Sequence, residues 1–491
     1  MTPLVLALDI GTSSVRALAF DASGHKIGPT FQHAYRNHTT SDGGVEVDAD
    51  ELLALCVQCI DEILAAAEGE WIGVATSCFW HSLIGVDRQG SPRTKVLSWA
   101  DNRAAPFVQT LRSQLDEDLT HARTGCVFHP SYWPAKFLWL HATRPELFDG
   151  QTRWMSFGEY LALRWHGQAT VSFSMASGTG LFDQNALGWD DKVLCALPLD
   201  ANSLSPLCDA NQALSALRPL WSARWPKLHK AKWFPALGDG ACSNIGSGGV
   251  DASTIAMNCG TSGALRVVLE NWTGAAPRGL WRYRVDRKRS VIGGALSNAG
   301  NVLQWAHQTL NLPADWDAQI AAASPDHGLL VLPFLAGERS PLWNARARFT
   351  LEGAGLDTTP IQIGRAALEG AALRFKAVAD ALRGAMREAG LSPARDIIYS
   401  GGALDASPAW AQIMADCIGA PLVESHEKEA SARGATLLAL EALGRIGNIA
   451  DLPAERGQTI VPNPTTQAHF EQTLTRQNAL YEKLYGAMKD G

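Results

Sequence analysis

The chain carries the triplet Gly-Thr-Ser twice, at Gly11-Thr12-Ser13 and at Gly260-Thr261-Ser262. Glycine lets backbone N–H groups approach a ligand closely and the hydroxyls add donors, so each triplet has the chemistry of a phosphate cradle. Either one alone is also an ordinary hairpin turn. As a pair facing each other across a cleft, they suggest a nucleoside triphosphate held between two domains. Asp9, just ahead of the first triplet, is then placed to reach a Mg2+ ion through water. The absence of a G-x-x-x-x-G-K-[ST] segment argues against a P-loop. A second acid, Asp239, stands between Gly238 and Gly240 at what reads as the mouth of a helix. Its plain role is a turn or an N-cap. Its chemical role would be to accept the proton of an alcohol attacking a γ-phosphate.

Both triplets sit in the same grammar of elements. Leu4–Leu8 is a short apolar run, the polar turn follows, and Val15–Phe20 resumes the strand pattern. A turn at Asp21-Ala22-Ser23-Gly24 leads into Lys26–Tyr35, so the opening reads as an antiparallel meander. The second copy runs Thr254–Met257, turn, Ala264–Leu269. A repeat at this separation implies two copies of one domain instead of a solenoid. Helical spacing marks Asp48–Ala67, Ile361–Arg387, Pro408–Ile418, Ala430–Leu443 and a tail from Thr465 to Met488. The expected architecture is α/β with a mixed sheet in each half. Gly-Ser-Gly-Gly within Gly246–Asp251 is the expected hinge, dividing residues 1–246 from 247–491.

Composition narrows the class of function. A length of 491 residues with 46% hydrophobic and 19% charged residues describes a folded chain of two or more domains. With 42 Lys+Arg against 49 Asp+Glu, the net charge of −7 supplies no basic field for a nucleic acid. Nine scattered cysteines suit a reducing compartment, and the Cys56/Cys59 C-x-x-C is read as helix packing, since no second pair answers it. No apolar run approaches a membrane span and no signal-peptide core is evident, so the expectation is a cytoplasmic protein with no membrane partner.

Taken together, these residues resemble the FGGY carbohydrate kinases of the sugar kinase/actin/Hsp70 superfamily. Asp9-Ile10-Gly11-Thr12-Ser13-Ser14 and Asn258-Cys259-Gly260-Thr261-Ser262 are similar to the family's two phosphate loops, and Gly238-Asp239-Gly240 to the segment with the catalytic base. Pro134-Ala135-Lys136-Phe137-Leu138-Trp139-Leu140 resembles the N-terminal signature. Gly401-Gly402-Ala403, with Gln412 and Ala415-Asp416, resembles the adenosine-side signature, and Ser431-Ala432-Arg433-Gly434-Ala435 fits the helix that follows. The resemblance implies two duplicated actin-like (ribonuclease H-like) ATPase domains around a central cleft. ATP would be held by Gly11, Thr12, Ser13, Gly260, Thr261, Ser262, Gly300, Gly401, Gly402 and Ala403, with Mg2+ at Asp9 and Asp239 as base.

Four stretches look most like gluconokinases: Trp80–Ile84, Trp99–Arg103, Ser174–Phe182 and Gly337–Asn344. The implied substrate is therefore a small sugar or sugar acid, gluconate first and xylulose or a related ketose or polyol second, phosphorylated at a terminal hydroxyl. Trp80 stands where the family usually has Met, which changes the expected shape of the sugar pocket. His81 and Arg103 could bond sugar hydroxyls, Arg103 could fork onto a carboxylate with His81 as helper, and Trp80 and Trp99 could lie against sugar C–H faces. Asp239 and Gly240 complete the expected substrate contacts. A homodimer is carried as the expected assembly. The competing class is a non-catalytic ATP-gated binding protein, disfavoured by the presence of the phosphate loops and the acid.

Overall fold

The chain is seen in a computed structural model that describes residues 2–486. Its first half is built on a sheet of β1 (Pro3–Ile10), β2 (Ser14–Asp21), β3 (Lys26–Ala34), β4 (Glu70–Cys78), β5 (Lys232–Trp233) and β6 (Leu237–Gly238), in the order β5-β4-β1-β2-β3 with β6 also on β4. β1–β2–β3 is the antiparallel meander expected from the turns, while β4 joins β1 in parallel. The second half repeats this plan. β7 (Thr254–Cys259), β8 (Gly263–Glu270), β9 (Trp281–Arg284), β10 (Arg289–Leu296), β11 (Asp396–Ser400), β12 (Leu422–Ser425) and β13 (Arg456–Ile460) run in the order β9-β10-β8-β7-β11-β12-β13. Here too the first strand pairs antiparallel with its successor and parallel with the strand after the helix. The duplicated α/β architecture implied by the resemblance is present.

Helices cover both sheets, and this is why β1 reads as one unbroken apolar run. α1 (Ala49–Ala66) starts where the Asp48 carboxylate accepts the Asp50 and Glu51 N–H groups, and it buries Leu52, Cys56, Cys59, Ile60 and Ile63. The C-x-x-C lies on the packed face of this helix, where burial pushes the Cys59 thiol up to about 12. Its counterpart in the second half is the helix Pro360–Glu388, which begins with a Thr359/Gln362 capping box and Pro360 at its first position. The tail helix spans Gln467–Tyr485; its expected end at Met488 lies outside the described residues. No helix among the described residues is long and apolar enough to cross a membrane.

Two further helices join the halves. α2 (Asp239–Gly246) leaves β6 in the first half, and α3 (Ala430–Ala442) leaves β12 in the second. They cross at two glycines. A Cβ on Gly246 would run into the Ala430 carbonyl, and one on Gly434 into the Cys242 carbonyl. α3 buries Leu437 and Leu440 in the same core as Leu6 and Ile60 of the first half. The close crossing sets Asp239, at the first turn of α2, at the junction of the halves.

Candidate active site

A cavity of about 410 Å3 opens between the two sheets. Its walls include Thr12 and Ser262 of the two triplets, Asp239 and Gly240, and the expected sugar-side residues Trp80, His81 and Trp99. Residues far apart in sequence therefore share one chamber, each delivered by the end of a strand or the start of a helix.

Trp80 explains the glycines around Asp239. Its indole Nε1 donates to the Ser174 carbonyl at 2.9 Å, fixing the ring beneath the α2 N-terminus. A Cβ at position 238 would lie inside that ring, and one at position 240 would sit 2.6 Å from it. Only glycine leaves room for both the indole and the acid. Asp239 Oδ1 accepts the Gly240 N–H at 2.8 Å, so the acid is the first helical residue while Gly238 occupies the cap. Burial pushes the Asp239 carboxyl up from its ordinary range, with the positive charge of Arg266 opposing the shift.

His81 has a left-handed backbone, φ 67°. Its Nδ1 lies 2.5 Å from the Gly178 carbonyl, which can only accept, so Nδ1 carries the proton and Nε2 presents a lone pair. Burial pulls this imidazole down to about 3, leaving it neutral. A neutral ring with Nε2 as acceptor suits a sugar hydroxyl and gives no help to a carboxylate, which corrects the expected helper role. His129 is wired the other way. The Ser131 N–H donates to its Nδ1 at 3.2 Å, so its Nε2 is a donor. Lys136, fully buried, donates to the carbonyls of His81 at 3.0 Å and Ser98 at 2.8 Å, tying together the loops that carry His81 and Trp99.

Arg103 is not part of this chamber. Its guanidinium binds Asp101 at 2.5 Å and Glu46 at 2.7 Å and lies 4.5 Å over the Trp139 ring. Two carboxylates take its Nε and Nη2 donors, so the expected contact between Arg103 and substrate gives way to support of its own loop. The cations that do line the cavity are Arg266 and Arg339. Sequence reading passed over both. Arg266 had a signal, a lone charge within the apolar run Ala264–Leu269; Arg339 lay within the Gly337–Asn344 stretch without being singled out.

Among the residues expected to hold ATP, Gly300 N–H donates to the Gly260 carbonyl at 2.8 Å and Asn301 N–H to the Thr261 carbonyl at 3.1 Å. A Cβ on Gly300 would lie 2.9 Å from Ala403 Cβ. Gly401, at φ 105°, passes so close to the Cys259 backbone that a side chain has no room. Gly260, Thr261, Gly300, Gly401 and Ala403 thus meet, with Gly402 opening the short helix Gly402–Asp405 beside them. In the first half the Tyr35 hydroxyl donates to the Gly11 carbonyl at 2.6 Å and the Asn37 amide to the Thr12 carbonyl at 3.0 Å, which holds the turn containing Ser13 open.

Asp9 is 8% exposed, and burial pushes its carboxyl up to about 6. The nearby charges of Asp239 and Glu429 raise it too, against Arg16 at 3.9 Å. A desolvated carboxylate beside other acids fits a hard divalent cation. Since the described residues contain no cage of three ligands, a cation here would be held largely by phosphate oxygens and water.

Residues 4–246 match the N-terminal domain, and 255–443 the C-terminal domain, of the FGGY family of carbohydrate kinases. The chain is 27% identical to gluconokinase of Bacillus subtilis over 461 residues, 91% of this chain and 89% of that one. It superposes on the gluconate kinase of Lactobacillus acidophilus with a TM-score of 0.90 at 25% identity, covering all of both chains. The xylulose kinase of the same organism gives 0.90 at 25%, covering 99% and 100%.

Proposed function

The chain belongs to the FGGY family of carbohydrate kinases, ATP-dependent phosphotransferases, and from that premise we propose that it phosphorylates gluconate at its terminal hydroxyl to give 6-phosphogluconate. The observation that carries the reading is the shared wall: Asp239, both Gly-Thr-Ser turns and the Trp80/His81/Trp99 face bound one cavity. A substrate hydroxyl gives its proton to Asp239 as its oxygen attacks the γ-phosphorus and the bond to the β,γ-bridging oxygen breaks, releasing ADP, while backbone N–H groups and hydroxyls of the triplets hold the phosphates in line. His81 Nε2 accepts from a neighbouring hydroxyl and fixes the chain's orientation. Mg2+, held through Asp9 and the phosphates, would neutralise charge on the transferring group. The halves close on the ligands and exclude water that would otherwise take the phosphoryl.

Gluconate is favoured over xylulose by one feature of the site: the cavity is lined by two guanidinium groups. A coupled ADP-release assay across gluconate, xylulose, glycerol and other aldonates tests it. Gluconate is expected to give the highest kcat/KM; a higher value for a neutral ketose or polyol would overturn the assignment while leaving a carbohydrate kinase.

A further inference from the structure

The chain treats its buried arginines in two ways. Arg289 is paired with Asp286 and Glu441, Arg365 with Glu369, and Arg374 with Glu338. Arg282 and Arg284 donate instead to carbonyl oxygens, among them Trp272 O and Gln184 O. Arg266 has neither kind of partner. Its Nε is sealed from solvent with nothing bonded to it, and its guanidinium lies 5.9 Å over the Trp281 ring at the cavity wall. Arg339 shares that wall; its guanidinium donates to the Leu296 carbonyl at 3.2 Å and to no other group among the described residues, and it lies 5.6 Å from the Trp99 ring centre. Both side chains are half-buried at the wall, and their two positive charges disfavour each other. A charge taken out of water without a partner is expensive, and an anion between the two would relieve both.

Resting on the gluconate reading, the geometry points to Arg266, seconded by Arg339, as the site that binds the substrate's carboxylate and selects an aldonic acid over a neutral sugar. The polar environment divides accordingly. Neutral His81 and His129 offer an acceptor and a donor suited to hydroxyls, whereas the guanidinium groups offer the charged, multiply donating surface that a carboxylate requires. The nearest rival role for Arg266 is service to Asp239, whose carboxyl feels its charge, or to the transferring phosphoryl group.

The test compares gluconate with glucitol, the same carbon chain bearing CH2OH in place of the carboxylate. Calorimetric Kd values without nucleotide, and kcat and KM with ATP, are measured for the full-length wild type and for Arg266→Met, Arg266→Lys, Arg339→Met and Arg103→Met. Arg266→Met is expected to weaken gluconate binding by about 10- to 150-fold, the range of a charged hydrogen bond, while leaving glucitol affinity and the KM for ATP nearly unchanged. Arg266→Lys should recover part of the loss, Arg339→Met should show a smaller loss of the same selectivity, and Arg103→Met should treat both ligands alike. If Arg266→Met lowers kcat on every substrate with gluconate Kd intact, the rival role is correct and the proposal fails. If Arg266→Met does not fold, Arg339→Met decides: equal effects on gluconate and glucitol would overturn the carboxylate site. A wild type that ignores gluconate but phosphorylates a ketose would instead overturn the gluconate reading itself.

Discussion

The two Gly-Thr-Ser units are copies whose chemistry has diverged at matching positions. In the first, Asp9 precedes the turn and Arg16 stands directly across from it in the β1–β2 pair. In the second, Asn258 precedes the turn, Ala264 stands across from it, and the cation has moved two positions along the strand to Arg266, opposite Ala256. One copy keeps an acid and neutralises it locally; the other has a neutral amide, bonded to Ser400 Oγ at 3.3 Å, and a guanidinium with no acid in bonding reach. On the proposed reading, a single backbone device serves a cation on one side of the cleft and anions on the other. The helix crossing carries a similar contrast. Counted from the reciprocal contacts of Gly246 and Gly434, Asp239 corresponds to Glu427, which pairs with Arg433 at 3.4 Å, while Asp239 faces the cavity.

The sharpest way to break this asymmetry is to remove the acid that faces the cavity. Asp239→Asn keeps the Gly240 contact through its carbonyl oxygen but cannot take a proton, so kcat is expected to fall by about 10²–10⁴-fold with ATP binding intact. Steady-state kinetics beside calorimetry for nucleotide would check it, and a wild-type kcat would remove Asp239 from its role.

Asp9→Asn converts the first copy to the residue found in the second. A group acting on a metal through water commonly contributes about 10–100-fold in metal affinity or activity. The variant should show that loss as a raised Mg2+ requirement, with sugar affinity measured without nucleotide unchanged. Loss of sugar binding with an unaltered Mg2+ titration would refute the division of labour between the copies.

The pH dependence sharpens the same point without mutation. The Asp9 carboxyl is raised to about 6 in the folded chain, above its ordinary 3.8, so burial disfavours its ionised form and the penalty to stability grows as pH rises from 3.8 through 6. Activity moves oppositely, because a cation binds the ionised form: on lowering the pH through about 6, proton and Mg2+ compete. The acid limb of kcat/KM should shift to lower pH as Mg2+ is raised. An acid limb insensitive to Mg2+ would assign that titration to another group.

The parts legible in sequence were those with local signatures. Strands and turns around Gly11 and Gly260, and helices such as Pro408–Ile418, follow from periodicity and caps that neighbours in sequence supply. Asp239 stood out because its glycines are visible, although their cause, the Trp80 ring from another segment, is not. Arg103 misled because an arginine beside two tryptophan-containing segments looks the same whether its partner is substrate or Glu46, which is distant in sequence. His129 and Arg339 are brought to the cavity by tertiary packing, and the lone charge of Arg266 in an apolar strand shows in sequence without showing what it faces.

The smallest expected effect tests how the first half supports its side of the cleft. Lys136 holds the carbonyls of His81 and Ser98, one in each loop that faces the cavity, and burial pulls its amine down to about 7. Two carbonyls need two donors, and a neutral amine still has two N–H groups, so the tie persists on either side of that titration. Lys136→Met deletes both donors while nearly preserving the apolar stem. Leaving two buried carbonyls unmet should destabilise the fold by about 1–3 kcal/mol per group at most. If the tie also positions His81 Nε2, the KM for the sugar should rise about 3- to 10-fold, under 1.4 kcal/mol, with kcat and the KM for ATP changing less. Thermal unfolding and steady-state kinetics on the same preparation separate the outcomes. A drop in stability with an unchanged sugar KM would reduce Lys136 to packing, whereas a rise in sugar KM that His81→Ala abolishes, so that the double variant matches His81→Ala alone, would show that the lysine acts through the histidine.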